Sequence, residues 1–154
     1  MGRATLRVGV LMSLSKADFK ATTKRLEALI RKWHVPLGLQ KWRVCYSYDD
    51  TPPAMDDEEW QRTACTSSKW QYLEASISFN IEACSELNDN ELEEVFVHEC
   101  CHILVAEMHG VIDTEREWSK EQVAHEERVV VQLARAFIDV MDRGCKLSKI
   151  KVES

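Results

Sequence analysis

The amino-acid sequence predicts an α+β fold, in which a small mixed sheet packs on an N-terminal helix and is followed by two long helices. Three patterns indicate this class. Apolar residues recur at helical spacing over residues 16–34, apolar and polar side chains alternate over residues 42–48 and 72–81, and helical spacing returns over residues 88–110 and 119–143. We therefore expect strands between helices, with one side of the sheet buried.

Length and composition predict one domain over residues 1–154, with residues 1–14 and 146–154 peripheral. No apolar run approaches the roughly 20 residues of a membrane span. The net charge of −6 argues against a nucleic-acid surface, which is usually basic. The six cysteines contain no Cys-x-x-Cys pair, and residues 1–14 lack a clear cleavage site. These features predict reduced cysteines in the cytoplasm and neither a membrane nor a nucleic-acid partner.

The first half of the chain alternates between helix and strand signals. Ser15, with Asp18 three residues later, is typical of a helix start, and Pro36 and Gly38 stop that helix. A strand over residues 42–48, a loop over 49–57, a weaker strand over 60–66 and a clear strand over 72–81 should follow.

Two capping patterns start the helices of the second half. Asn88 with Glu91 predicts the first start, and Ser119 with Gln122 predicts the second. We expect the first helix to end at Gly110 and the second near residues 143–144. Residues 111–118 should connect them, and residues 146–154 should be a solvated tail.

The helix over residues 88–110 carries His98, Glu99 and His102. Histidines four apart on a helix lie one turn above each other, so both imidazoles can bind one ion. Zinc takes neutral imidazole nitrogens as ligands and, in catalytic sites, keeps one position for water. Because such a helix is apolar on most sides, a metal would also offset the cost of burying these polar groups. The spacing predicts His98 and His102 as zinc ligands and Glu99 as general base and acid.

A third protein ligand should come from the last helix, where His125, Glu126 and Glu127 follow each other. Helical phase relative to the apolar stripe points Glu126 along the buried face, and we assign it as the third ligand. Glu127 shares a face with Val123 and remains an alternative, whereas His125 points further away. The competing interpretation is a solvated acidic patch at the helix start.

With a sheet, a helix bearing HECCH and a later glutamate-bearing helix, the chain resembles the gluzincin branch of zincin metallopeptidases, especially the small minigluzincins and phage-type metallopeptidases. The similarity covers about residues 42–141. It implies a zincin-like fold, His98 and His102 as zinc ligands, Glu99 as general base and acid, and a glutamate of the later helix as third ligand. It also implies that the strand over residues 73–81 lies along the cleft and pairs with an extended peptide or protein substrate.

The sequence departs from related patterns. Val105 and Met108 occupy the Gly and His positions of the metzincin motif HExxHxxGxxH. An oxyanion would need a donor besides zinc, and the candidates are Tyr46, Tyr48, Tyr72, His109, His125 and Arg128.

Three functions remain open from the sequence. The first is a zinc-dependent peptidase, the second is a catalytically inactive, zinc-stabilised binding module, and the third is a helical protein without zinc. Cys100 and Cys101 beside the motif are expected to be inert buried thiols, with redox sensitivity as the alternative.

Overall fold

The computed structural model describes residues 14–49, 63–112 and 119–150, except for the side chains of residues 107, 109–112 and 145–150. The elements are α1 (Lys16–Trp33), β1 (Arg43–Asp49), β2 (Ala64–Lys69), β3 (Glu74–Asn80), α2 (Ile81–Ser85), α3 (Asp89–Ile112) and α4 (Lys120–Ile150), with short 3₁₀ turns at Leu39–Lys41 and Trp70–Tyr72. The α+β class is therefore confirmed. Most of the predicted N-terminal segment, loop 49–57 and connection 111–118 lies outside the described residues.

The three strands form one mixed sheet in the order β1-β3-β2. β1 runs parallel to β3, with Tyr46 opposite Ile77, and β2 runs antiparallel to β3, with Thr66 opposite the same residue. Because β3 is central, both of its edges already bond to neighbouring strands. The expectation that residues 73–81 pair with substrate is therefore wrong, since a strand needs a free edge to accept another chain.

The face of β3 that the sequence predicts to be buried is buried. Ala75, Ile77 and Phe79 are at most 7% exposed, while Ser76 between them is exposed. This alternation follows from the two-residue period of a strand. The buried side chains join a core formed with all four helices, which includes Leu26, Trp33, Leu37, Leu39, Ile81, Cys84, Leu92, Phe96, Val97, Cys100, Cys101, Ile103, Val105, Val130 and Ala134.

The start of α3 is fixed by the predicted cap and by two contacts with α1. The Asn88 side-chain oxygen accepts from the amides of Asn90 and Glu91, and the Glu91 carboxylate accepts from the Asn88 amide at 2.9 Å. On α1, Trp33 Nε1 donates to Glu93 at 2.6 Å, and Arg25 donates to the Leu87 carbonyl at 2.8 Å. These bonds hold the N-terminal half of α3 in place.

α4 starts as predicted and extends further than predicted. The Gln122 amide donates to the Ser119 hydroxyl at 3.2 Å, and the Ser119 amide donates to the Gln122 side chain at 2.8 Å. The helix then continues through Gly144 to Ile150, so the predicted end near residues 143–144 is wrong. A glycine with ordinary helical φ costs about 1 kcal/mol relative to alanine, which a long helix absorbs. The end of α3 at Ile112 is close to the predicted Gly110.

Two local features differ from the sequence prediction. β2 continues to Lys69, beyond the predicted end at residue 66, because pairing with β3 recruits a polar Thr-Ser-Ser run that carries little strand signal; residues 60–62 of the predicted strand lie outside the described residues. The predicted third strand ends early: the Asn80 side chain accepts from the Ala83 amide and caps the short α2, which begins at Ile81.

Candidate metal centre

The two motif histidines face each other on one side of α3. His98 Nε2 lies 3.1 Å from His102 Nε2, and the two ring centroids are 4.8 Å apart. Their side chains are 24% and 19% exposed, so the nitrogens lie at the protein surface but not fully in solvent. The four-residue spacing therefore does what the sequence predicts: it brings two donor atoms to one point.

α4 supplies a third donor to this point through Glu127. One carboxylate oxygen of Glu127 lies 3.4 Å from His98 Nε2, and the other lies 3.4 Å from His102 Nε2. Among the described residues, His98, His102 and Glu127 form the one cluster of three or more histidine, cysteine or acidic side chains with metal-binding spacing.

The separations within this cluster fit a zinc ion. Zinc binds imidazole nitrogen and carboxylate oxygen at about 2.0–2.2 Å in tetrahedral geometry, which places neighbouring ligand atoms about 3.3–3.5 Å apart. Here the two imidazole nitrogens are 3.1 Å apart, and each lies 3.4 Å from a different oxygen of Glu127. One donor atom from each of the three side chains lies within 4.8 Å of the other two. Three protein donors also leave one tetrahedral position for water, as in catalytic rather than structural zinc sites.

Glu126 has a different place from the one the sequence assigned to it. Its carboxylate lies 3.0 Å from Nδ1 of His102, on the side of the ring away from the cluster. The Glu126 side chain is 15% exposed and that of Glu127 is 48% exposed. The assignment of Glu126 as third ligand stays a prediction, and the geometry favours the alternative, Glu127, because Glu126 contacts Nδ1 of His102 whereas Glu127 lies at the two Nε2 atoms. His125 is exposed and lies 3.4 Å from Arg128, outside the cluster.

The contact between Glu126 and His102 favours one tautomer of the ring. A carboxylate accepts hydrogen bonds, so it is satisfied when His102 carries its proton on Nδ1. Nε2 then keeps its lone pair, which is the form that binds a metal. Glu126 is thus placed to orient the His102 ring.

Glu99 lies beside His98 and is nearly buried, with 8% of its surface exposed. Its carboxylate accepts a hydrogen bond from the Thr66 hydroxyl of β2 at 2.6 Å. Sequence patterns gave no indication of Thr66, because a threonine in a polar run has no signature until strand pairing places it against α3. The predicted base is therefore held by a residue that the sequence does not reveal.

A cavity of about 380 Å³ adjoins these groups between β2, α3 and α4. His98 and Glu99 line it together with Thr63, Ala64, Glu94, Val95, Val131, Ala134, Arg135 and Ile138. Its walls are mainly apolar, with Glu94, Glu99 and Arg135 as acidic and basic exceptions. The cavity gives an extended ligand room for one side chain next to the donor cluster.

Tyr46, one of the predicted oxyanion donors, lies away from this cluster. The Tyr46 ring stacks on Phe96, and its buried hydroxyl has no hydrogen-bond partner among the described residues. Burial, with Cys100 nearby, raises the pKa of Tyr46. Cys100 is two residues, and hence about 200°, around the helix from His98, so Tyr46 lies behind α3.

The other oxyanion candidates receive no support from their contacts. The Tyr48 ring stacks on Phe79 in the core, and its pKa is raised by burial and by Glu27 of α1. Tyr72 is 75% exposed, and Arg128 contacts its neighbour His125. The His109 side chain is outside the described part of the chain. None of these described side chains contacts the donor cluster.

The cysteines of the motif helix are buried thiols. Cys100 and Cys101 are both fully buried, and burial raises the pKa of each thiol, that of Cys101 to about 12. Because the thiolate is the reactive form, these side chains are poorly suited to redox chemistry. This favours the inert interpretation over redox sensitivity.

Comparisons of the chain with protein-family models, with curated proteins and with solved structures found no match. Among the described residues, none of the helices combines the length and the apolar character needed to cross a membrane. Functional inference therefore depends on the site itself.

Proposed function

We propose that the protein is a zinc-dependent peptidase of the gluzincin type. The observation that carries this proposal is the convergence of His98, His102 and Glu127, whose donor atoms lie within 4.8 Å of one another, with Glu99 next to them in the sequence and a cavity alongside. A structural site would use a fourth protein ligand. The described residues supply three ligand side chains, which fits a site that activates water.

Each group has a defined task in this proposal. His98, His102 and Glu127 would hold the ion, and Glu126 would keep His102 in its binding tautomer. Zinc, when bound, lowers the pKa of a coordinated water to about 7. Glu99 takes the proton of the attacking water and returns it to the amine nitrogen that leaves as the peptide bond breaks.

The substrate of such an enzyme would be an extended peptide or protein segment. β2 has β3 as its one neighbour among the described strands, and its Thr66 contacts Glu99. A peptide added along the other edge of β2 would lie close to the base and the donor cluster. This edge replaces the central strand β3 as the expected docking position.

A second candidate function is a zinc-stabilised binding module without activity. It is favoured by the positions of Tyr46 and Tyr48, which lie in the core and not at the cluster. In a module of this kind the zinc ion would contribute stability alone, since an ion that binds only the native state raises its free energy of unfolding.

Metal analysis and a peptide-library digest would separate these functions. We expect about one zinc per purified chain, cleavage by the parent protein, and a loss of about 10²–10⁴-fold in Glu99→Gln with its zinc retained. Glu86→Gln, an exposed glutamate just after α2, is the matched control and should cleave like the parent. Zinc without cleavage would support the binding module, and the lack of stoichiometric zinc would reject both.

A further inference from the structure

The Thr66 side chain forms a hydrogen bond with Glu99, the proposed general base. Its hydroxyl donates to Glu99 Oε2 at 2.6 Å, and the Glu99 carbonyl oxygen lies 3.2 Å from the same hydroxyl. A hydroxyl has one hydrogen, so the two acceptors compete. The charged carboxylate at the shorter distance takes it, because charge-assisted bonds are the stronger ones.

The position of Thr66 is set by the sheet. Successive side chains of a strand point to opposite faces, and on β2 Thr66 is half-buried against α3 whereas Ser67 is exposed on the other face. Pairing of Thr66 with Ile77 of the central strand fixes the height of the hydroxyl along the motif helix. The hydroxyl is therefore presented to Glu99 by a hydrogen-bonded strand rather than by a loop.

Glu99 needs such a partner. Glu99 is a buried residue with 8% of its surface exposed, and burying a carboxylate without hydrogen bonds is costly. Within the described part of the chain, the Thr66 hydroxyl donates a hydrogen bond to this carboxylate. The bond occupies Oε2, so Oε1 is the oxygen left to exchange a proton with the attacking water.

We propose that Thr66 is a positioning residue for Glu99, acting through the Glu99 carboxylate and not on the substrate itself. The role rests on the proposed peptidase function. By bonding Oε2, the threonine restricts the rotation of the carboxylate and leaves Oε1 for proton transfer, which requires near-ideal geometry. Because Thr66 lies on the edge strand, a peptide bound there would contact the same element that holds the base.

The test compares Thr66→Val and Thr66→Ser in the zinc-loaded protein, with a peptide selected by the library digest. Valine keeps the shape and strand preference of threonine but lacks the hydroxyl, whereas serine keeps the hydroxyl. We expect kcat to fall about 10²-fold in Thr66→Val, as for a misplaced catalytic group, with KM and zinc content unchanged. Thr66→Ser should restore most of kcat, and Ser67→Ala, which removes the neighbouring hydroxyl, should match the parent.

Two results would overturn the role while leaving the peptidase proposal intact: a parent-like kcat in Thr66→Val, or a Thr66→Ser variant as impaired as Thr66→Val. A parent that cleaves no library peptide would instead overturn the peptidase function and this role with it. Should Thr66→Val fail to fold, Thr66→Ala removes the same hydroxyl.

A second measurement tests the hydrogen bond without using activity. Unfolding of the zinc-loaded parent, Thr66→Val, Glu99→Ala and the double variant forms a double-mutant cycle, in which each single variant removes one partner of the hydrogen bond. A bond to a charged group predicts that the unfolding constants are coupled by about tenfold or more. A coupling close to onefold would show that Thr66 does not hold Glu99, and would overturn the role.

Discussion

The two sides of α3 differ in burial and in the residues that they contact. On the side that faces the sheet, Phe96 is fully buried and stacks against Tyr46 and Phe79. On the side that faces α4, His98 and His102 meet carboxylates and remain partly exposed. One helix thus has an apolar, closed face and a polar, open one. We therefore expect that substitutions on one face change the free energy of unfolding and that substitutions on the other face change the affinity for metal. The following predictions test this separation.

The largest effect is expected on the sheet side. Phe96→Ala should lower the free energy of unfolding by about 3–5 kcal/mol, because it removes a fully buried ring and leaves a cavity between β1, β3 and α3. Urea denaturation of the zinc-free protein measures this. The zinc content of the folded fraction should not change; a loss of zinc in folded Phe96→Ala would show that the two faces are coupled.

On the α4 side, Glu127→Gln should weaken zinc binding by more than about 100-fold, beyond the range typical of residues that only orient a ligand. The neutral amide is a much poorer zinc ligand than the carboxylate it replaces. Competition with a chromogenic chelator measures the affinity, and removal of zinc should lower the melting temperature of the parent more than that of the variant. Parent-like affinity would remove Glu127 from the ligand set.

Glu126→Ala should have a smaller effect on the same measurement, a loss of about 10–100-fold, because it removes the partner of His102 Nδ1 but no metal donor. The comparison with Glu127→Gln distinguishes an orienting residue from a ligand. If Glu126→Ala were the more damaging of the two, the original assignment of Glu126 as third ligand would be restored.

The smallest effect is expected at Leu73, on neither face of α3, just before β3. This residue adopts a left-handed conformation with φ of 51°, which costs an L-residue about 1–2 kcal/mol. Leu73→Gly relieves that strain, but glycine also increases the conformational entropy of the unfolded chain. Because these effects oppose each other, the free energy of unfolding should change by less than about 1 kcal/mol. Tyr72→Gly, one residue earlier at ordinary φ, is the control and should be more destabilising. The reverse order would show that the Leu73 side chain contributes more than its conformation costs.

Periodicity and capping patterns were sufficient for most of the helices and strands. Helical spacing and the Ser15, Asn88 and Ser119 caps located α1, α3 and α4 because these signals depend on neighbours in the sequence. The end of β2 was placed too early and α2 was missed, since the first depends on pairing with β3 and the second on a single Asn80 cap.

By itself, the sequence determined that His98 and His102 share one helical face and that Glu99 lies next to them, because an α-helix repeats every 3.6 residues wherever it forms. Only the tertiary structure decided which glutamate of α4 joins them, since this depends on how α4 rotates and crosses α3. It also decided that β3 is central and that Thr66 bonds Glu99. Contacts between distant segments follow from packing and strand register, and no local spacing encodes them.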